Sequence, residues 1–331
     1  MTRWHRPLLL CSGLMAALAA VSLGGLLLDD RTLDGMPLWA KPLKFSVSFA
    51  IYNLTWAWLL TLRRRAPRWG WWLGTVLAVT GAAETVIITA QAARGVRSHF
   101  NVSTALDSAL YSTMAGTIAI LMIANLVAAV LVLRERQADP VSTRAIRLGL
   151  VISAAGIGLG YLMTLPTAAQ LADPARALIG AHSVGAPDGG PGLTLLGWST
   201  TGGDLRIPHF VGMHAIQALP LLALALRRVG DQAARLRLVS VAAYGYAGLL
   251  ALVTWQALRG QPLLRPDSLT LAAAALLLAS AGVAAGAAAL TAFRRSPAGV
   301  PPRDAAVPSP DGSVGPPSGT APAGHGIAEP R

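Results

Sequence analysis

The sequence predicts an all-α, polytopic transmembrane helix bundle, and three observations support this prediction. Hydrophobic residues make up 53% of the 331 residues, and charged residues only 13%. The apolar residues form long blocks of about 20, the length at which a helix crosses the roughly 30 Å hydrocarbon layer of a bilayer. Arginines collect between these blocks. A soluble protein would show shorter, amphipathic helices instead.

Eight apolar blocks are expected to cross the membrane within a helical bundle of residues 1–295. Connections rich in arginine, at 63–68, 134–147 and 227–237, alternate with connections poor in basic residues. The positive-inside rule places these three connections and both termini in the cytoplasm. The predicted spans are 8–28, 43–62, 71–93, 106–133, 148–170, 209–226, 238–258 and 269–293.

The first span has an alternative interpretation as a cleaved signal peptide. It follows a basic start and contains small residues at 17–20, and its removal would leave seven spans with the N-terminus outside. The apolar run of 21 residues is long for a signal core of about 7 to 15 residues. This length favours a retained span.

Composition excludes several classes of function. The net charge of +12 would suit nucleic acid, but the basic residues flank apolar blocks, so the expected partner is the lipid bilayer and not nucleic acid. Lys41 and Lys44 are the only lysines among 27 basic residues. Cys11 is the only cysteine, so a metal would need histidine, carboxylate or methionine ligands.

Two segments outside the spans have distinct compositions. Residues 296–331 are rich in Pro, Gly, Ala and Ser without periodicity, and we expect a disordered cytoplasmic tail. Residues 171–208 form the only long outer connection. Connections of this length usually have a function or are disordered, and the glycines, prolines, Trp198 and leucines here favour a folded lid above the mouth of the bundle.

One deep carboxylate lies on the third span. Glu84 follows Trp71 by 13 residues, a rise of about 20 Å, which puts it past the midplane toward the outside. Gln91 lies seven residues further on nearly the same face. Ionisable groups at this depth are expensive and usually functional. An ion pair with Arg94, Arg97 or Lys44 is the alternative for Glu84.

The fourth span presents a polar stripe toward the same side. Asp107, Tyr111, Met114 and Asn125 return to nearly one helical angle. The short connection before it carries His99, Arg94 and Arg97 close to both carboxylates. We expect Glu84 and Asp107 to face each other across this connection.

Two histidines lie on the sixth span. His209 is expected at the outer mouth, and His214 lies five residues deeper and about 140° around the helix, so the two do not share a face. His214 would therefore need a partner on another helix to bind a metal. Gly156, Gly158 and Gly160 on the fifth span predict a close approach between helices.

Three stretches resemble a known group of sequences: SHFN at 98–101, GAHSVG at 180–185, and GGPGLTLLGWSTTGGDLRIPHFVGMHAIQALPLL at 189–222. The chain is similar here to an uncharacterised family of bacterial multi-pass membrane proteins, over about residues 36–226. The resemblance implies a multi-pass bundle in the bacterial inner (cytoplasmic) membrane. It brings no activity, cofactor or site residue with it.

The leading functional prediction is a site near the outer leaflet that binds a metal, a haem or another small ligand for redox or proton chemistry. A small transporter in which Glu84 carries the proton or cation is a second hypothesis, and a ligandless membrane subunit is a third. Whether the protein is an enzyme is left open, as is the choice between haem b and a transition metal. The candidate residues are Glu84 and Asp107 for catalysis; His209, His214, His99 and Gln91 for cofactor binding; and His209, His214, His99 and His182 for a metal.

Overall fold

The computed structural model describes residues 4–63 and 67–295, and most of this part of the chain is helical. The predicted disordered tail, 296–331, lies outside the described residues. Ten α-helices are present in the described ranges. They are α1 (Arg6–Leu28), α2 (Ala40–Thr61), α3 (Pro67–Ala93), α4 (Ala105–Leu133), α5 (Pro140–Leu159), α6 (Ala168–Ala172), α7 (Arg206–Met213), α8 (Ala215–Ala225), α9 (Gln232–Leu258) and α10 (Ser268–Arg295).

In the described part of the chain, four strands of two residues each form two antiparallel pairs in the connections. The first pair joins β1 (Thr32–Leu33) to β2 (Met36–Pro37), and the second joins β3 (Ser183–Val184) to β4 (Gly203–Asp204). The first pair shapes the loop between α1 and α2, and the second lies within the predicted lid. Both pairs order connections at the same end of the bundle.

Among the residues that the structure describes, six helices are long and apolar enough to cross a membrane. There are up to seven such spans if the bent pair α7 and α8 counts as one. The predicted all-α membrane bundle is therefore confirmed in outline, but the count of eight spans is not. The predicted second span, 43–62, makes the difference. It corresponds to α2, which has 22 residues but is not among the candidate membrane spans. Its polar residues include Lys41, Lys44 and Asn53.

The fifth and sixth predicted spans are broken in the structure. After α5 the chain forms a 3-10 turn, Gly160–Thr164, and then an extended residue before α6. The predicted sixth span is divided at His214, where α7 and α8 meet at 41°. Pro220 lies within α8 without ending it, so the break does not occur at the proline.

Two apolar cores hold the helices together. The first is built mainly from α1 to α4, with Trp56, Leu59 and Leu77 fully buried. The second joins α5, α8 and α9 through Val141, Ala145, Ala215, Val239 and other small or branched residues. Because small side chains such as Ala145 and Ala215 allow helices to approach closely, the second core suits a membrane bundle.

The close approach predicted from the glycines occurs at two of the three positions. A Cβ atom at Gly156 would come within 2.4 Å of the Gly212 backbone on α7, and one at Gly160 within 2.9 Å of the His209 ring. A Cβ atom at Gly158 would meet no atom of another element within 4 Å. Gly156 therefore allows α5 and α7 to pack backbone against backbone, which fixes the position of His209.

The lid, residues 171–208, is folded onto the bundle. Its backbone pairs with the connection between α3 and α4, where the Ile179 amide donates to the Phe100 carbonyl at 2.9 Å. The Lys44 ammonium group on α2 donates to the Leu196 carbonyl at 2.8 Å. These contacts hold the lid over one end of the helices, which we call the cavity end.

Candidate functional site

A cavity of about 420 Å³ lies beneath the lid at the cavity end. This volume falls in the range of sites for small molecules, about 300 to 1,000 Å³. The wall is formed by α2, α3, α4, α5 and α7 with the lid and the connection between α3 and α4. Its ionisable residues include Asp34, Lys41, Lys44, Glu84, Arg97, His99, His182, Asp188, Arg206 and His209.

Glu84 lies in the cavity wall with only 1% of its surface exposed. Its Oε2 accepts a hydrogen bond from the Thr117 hydroxyl at 3.1 Å, and its Oε1 lies 3.7 Å from His99 Nε2. No arginine or lysine in the described ranges forms an ion pair with this carboxylate. Glu84 is thus a buried acid with few hydrogen-bond donors beside an open space.

The cations considered as partners of Glu84 have other partners. Arg94 pairs with Asp107 at 2.8 Å, and Arg97 pairs with Asp34 at 2.5 Å. Lys44 donates to a lid carbonyl. The structure therefore does not form the ion pair considered as the alternative role of Glu84.

His99 connects Glu84 to Lys41. The Lys41 Nζ and the Ser98 hydroxyl each lie 3.1 Å from His99 Nδ1. Because an ammonium group only donates, a protonated Lys41 leaves Nδ1 as the acceptor and the ring proton on Nε2, the nitrogen nearest Glu84. Burial lowers the pKa of His99 well below its ordinary range, and the charge of Lys41 and the neighbouring His182 lower it further.

Phe100 lies between His99 and the lid. Its φ of 65° is unusual for a residue other than glycine, and its ring lies 4.8 Å from the His182 ring, centroid to centroid. A strained backbone conformation persists only where the surrounding structure fixes it, and such conformations cluster at functional sites. Phe100 thus brings the His99 connection and the lid together at the cavity.

His182 is held by a carboxylate on the lid. Its Nδ1 lies 2.9 Å from Asp188 Oδ2, and the amides of His182 and Ser183 donate to the same carboxylate. Burial lowers the pKa of His182, although the hydrogen bond with Asp188 opposes this effect. Burial alone would raise the pKa of Asp188, but the contacts with His182 and the two amides lower it overall.

His209 and His214 are separated by the helix geometry, as the sequence predicts. His209 lines the cavity, and its Nδ1 lies 2.9 Å from the Gly156 carbonyl, which requires the proton on Nδ1 and leaves Nε2 as the acceptor. His214 is absent from the cavity wall. Its Nδ1 lies 3.3 Å from the Gln217 side chain, which in turn donates to Thr55 on α2.

Asp107 and Gln91 lie beside the cavity but do not line it. The Gln91 amide donates to Asp107 Oδ1 at 2.9 Å, and the Arg94 guanidinium donates to the same oxygen at 2.8 Å. Thr104 donates to Oδ2 at 2.7 Å and also caps α4. The structure therefore places the predicted catalytic Asp107 and the predicted cofactor ligand Gln91 in a saturated network that joins α3 to α4.

The predicted metal ligands do not assemble. Throughout the described ranges, no group of three or more histidine, cysteine, aspartate or glutamate side chains is placed to hold a metal ion. His99, His182 and His209 share the cavity wall, and His214 lies outside it. The cavity therefore offers its histidines as separate hydrogen-bonding groups.

Sequence reasoning gave no functional role to Lys41 or Arg206, which both line the cavity. The chain uses arginine for 25 of its 27 basic residues, and its two lysines lie three residues apart at the start of one helix. This departure from the usual arginine is the signal that marks Lys41. Arg206 carries no such signal because its role depends on the way the lid folds.

Comparison with known proteins gives no relative from which a role can be carried over. No protein-family model, curated protein or solved structure matches this chain. The function is therefore inferred from the chemistry of the cavity alone.

Proposed function

We propose that this protein is a multi-pass membrane protein that binds a small molecule in the cavity and exchanges a proton with it through Glu84 and His99. One observation carries the proposal. Glu84 is a buried carboxylate without a cationic partner at ion-pair distance in the described chain, and it lies in the wall of a ligand-sized cavity. Perturbed ionisable groups in a cleft of this kind favour function over structure.

The contacts around His99 supply a route for the proton. Lys41, His99 and Glu84 lie in that order, with 3.1 Å between Lys41 Nζ and His99 Nδ1 and 3.7 Å between His99 Nε2 and Glu84 Oε1. Imidazole can accept a proton at one nitrogen and release it from the other, so His99 can carry a proton between its two neighbours. A ligand that contacts Glu84 would then gain or lose a proton without direct access to water.

The charge distribution supports an orientation with the cavity toward the outer face. Arg134 at the end of α4 follows Asp107 by 27 residues, which corresponds to about 40 Å along a helix. The arginine-rich connections therefore lie at the end of the bundle opposite the cavity. The positive-inside rule makes that end cytoplasmic and places the cavity near the outer leaflet of the bacterial inner membrane.

Extraction of bound small molecules tests the binding function. The protein would be purified in native lipid nanodiscs and extracted with organic solvent for mass spectrometry. Met114→Trp fills the cavity, because Met114 is 1% exposed and lines it, and Val127→Trp is the control on the outward face of the same helix. We expect one small molecule to be enriched in the wild type and the control but lost in Met114→Trp.

Equal small-molecule content in all three proteins would overturn the binding function. If Met114→Trp fails to fold, Met213→Trp on α7 fills the cavity from another helix. A visible spectrum and elemental analysis of the same samples identify the ligand class. A Soret band would identify the ligand as haem, and stoichiometric metal would identify it as a metal ion, in place of an organic molecule.

The break between α7 and α8 favours proton-coupled transport as a second candidate function. Broken helices next to a buried site are typical of transporters, and α7 carries His209 into the cavity before the 41° bend at His214. In proteoliposomes with an internal pH dye, transport of the extracted molecule would move protons with the wild type but not with Glu84→Gln. Binding without flux would leave the binding function in place and exclude transport of that molecule.

A further inference from the structure

The two lysines of the chain stand together on the cavity wall. Lys41 and Lys44 are three residues apart on α2, and both line the cavity. Residues at this spacing lie on the same side of a helix. Two ammonium groups are thus presented to one space at the start of α2.

Neither ammonium group is matched by a carboxylate at ion-pair distance in the described part of the chain. Lys41 contacts His99 Nδ1, and Lys44 donates to the Leu196 carbonyl. An ammonium group has three donors, so each lysine has further donors to offer. The nearby charges Glu84 and Asp188 contact histidines instead.

The two arginines of the cavity wall differ from the lysines, because each arginine already forms an ion pair with a carboxylate. Arg97 pairs with Asp34 at 2.5 Å, and Arg206 pairs with Asp204 at 2.6 Å. Asp204 is only 1% exposed, and its carboxylate oxygens accept hydrogen bonds from the backbone amides of Ser199 and Arg206. Of the four lysines and arginines in the cavity wall, only Lys41 and Lys44 therefore have no carboxylate at ion-pair distance in the described residues.

The deeper part of the cavity is apolar. It includes Phe49, Leu121, Phe210 and Met213, and it reaches Tyr52, whose hydroxyl donates to Asn125 at 2.9 Å. Tyr52 lies eight residues beyond Lys44, about 12 Å along α2. A bound molecule therefore meets positive charge at the mouth and apolar side chains toward the centre of the bundle.

We infer that the ligand is a single-chain amphipathic anion, with a carboxylate or phosphate headgroup between Lys41 and Lys44 and an apolar chain directed toward Tyr52 and Leu121. This inference rests on the proposed binding function. Lysine is suited to such a headgroup as a compact charge with several donors. The volume of about 420 Å³ fits one chain of moderate length better than a two-chain lipid.

The inference is tested with three probes that share one chain: dodecyl phosphate, dodecanol and dodecyltrimethylammonium. Binding to the full-length protein in a neutral detergent would be measured by native mass spectrometry. We expect the phosphate to bind at least about tenfold more tightly than the other two, because only it pairs with both ammonium groups. Lys41→Gln combined with Lys44→Gln should remove this preference.

Matched variants separate charge pairing from folding and from net charge. Arg227→Gln combined with Arg228→Gln removes the same charge from exposed positions at the other end of the bundle and should keep the preference. Lys41→Arg combined with Lys44→Arg should restore much of it. If the double glutamine variant fails to fold, Lys44→Gln alone should still reduce the preference by several-fold.

The outcomes distinguish the inference from the function on which it rests. Equal binding of the three probes, blocked by Met114→Trp, would overturn the anionic headgroup and leave the cavity function standing. No binding of any probe by the wild type would overturn both. In phosphatidylcholine nanodiscs, displacement of dodecyl phosphate by added phosphatidylglycerol would overturn the single-chain part of the inference and assign the anionic headgroup to a two-chain membrane lipid. Retention of dodecyl phosphate would support a free single-chain amphiphile.

Discussion

Two buried carboxylates on neighbouring helices, Asp107 and Glu84, have opposite environments. Their exposed fractions are nearly equal, 2% and 1%. Asp107 accepts hydrogen bonds from Gln91, Arg94, Thr104 and other donors, and it does not line the cavity. Glu84 accepts a hydrogen bond from the Thr117 hydroxyl and lines the cavity.

The comparison shows that two equally buried acids can differ in their hydrogen-bond partners and in their access to the cavity. A carboxylate whose lone pairs are filled by donors is fixed in its charged form and stabilises the fold. A carboxylate with few donors beside a cavity has capacity left for a proton or a ligand. The role of each acid therefore follows from its hydrogen-bond partners.

The largest effect is expected for Asp107→Ala. This change removes one of the two acceptors of the Gln91 amide and the carboxylate partner of Arg94. We therefore expect the free energy of unfolding to fall by about 3 kcal/mol. Thermal unfolding in one detergent, followed by circular dichroism, measures the loss. Unchanged stability would show that the Asp107 network does not hold α3 to α4.

Acid should destabilise the protein through His99. The unfolded chain protonates this histidine below a pH of about 6.5, but the lowered pKa keeps it neutral in the native state until the pH is lower. Protonation therefore favours the unfolded state in this window, and stability falls as the pH falls through it, by up to about 1.4 kcal/mol per pH unit. His182 contributes with the same sign.

His99→Gln should therefore weaken the dependence of thermal stability on pH in the mildly acidic range. The variant removes the titrating group while an amide can still hydrogen-bond with Lys41. Melting curves recorded across the same pH series for the wild type and the variant provide the measurement. Parallel pH profiles would mean that His99 does not contribute to the acid sensitivity.

Glu84→Gln should change stability far less than Asp107→Ala, by less than about 1 kcal/mol. Glutamine has nearly the same shape and still accepts the hydrogen bond from Thr117, and it removes a buried charge that has no cationic partner. The same unfolding assay applies, with Asp107→Asn as the matched amide variant. A large loss for Glu84→Gln and none for Asp107→Asn would reverse the roles of the two acids.

The smallest effect is expected at the mouth of the cavity. Asp34→Asn breaks the ion pair with Arg97, but the two side chains are 36% and 26% exposed, and pairs of this kind contribute less than about 1 kcal/mol. The melting temperatures of this variant and of the wild type, measured at low and at high salt, should differ very little. A loss comparable to that of Asp107→Ala would make this pair a structural anchor of the lid.

Much of the helical framework was predictable because each long apolar block forms a helix almost independently of its surroundings. The predicted span 71–93 lies within α3 (Pro67–Ala93), and 106–133 lies within α4 (Ala105–Leu133). The breaks after Leu159 and at His214 were not predicted, because they arise where α5 and α7 pack on each other. Pro166 lies in the break between the 3-10 turn and α6, whereas Pro220 lies inside α8 and not at the His214 break.

The site was predictable in location but only partly in detail. The sequence brought Glu84, His99, His182 and His209 to one side of the membrane, and the structure places all four in one cavity wall. It gave Asp107 the same role as Glu84, since helical spacing indicates the face of a residue but not its hydrogen-bond donors. Lys41 was missed because its direction depends on how α2 packs beneath the lid.

The most direct test of the central claim is the infrared difference spectrum of the protein between alkaline and mildly acidic pH, recorded in lipid. The account predicts a change in a carboxylic acid band that disappears in Glu84→Gln and remains in Asp107→Asn, because only Glu84 has capacity for a proton beside the cavity. A band that remains in Glu84→Gln and disappears in Asp107→Asn would contradict the assignment of proton exchange to Glu84.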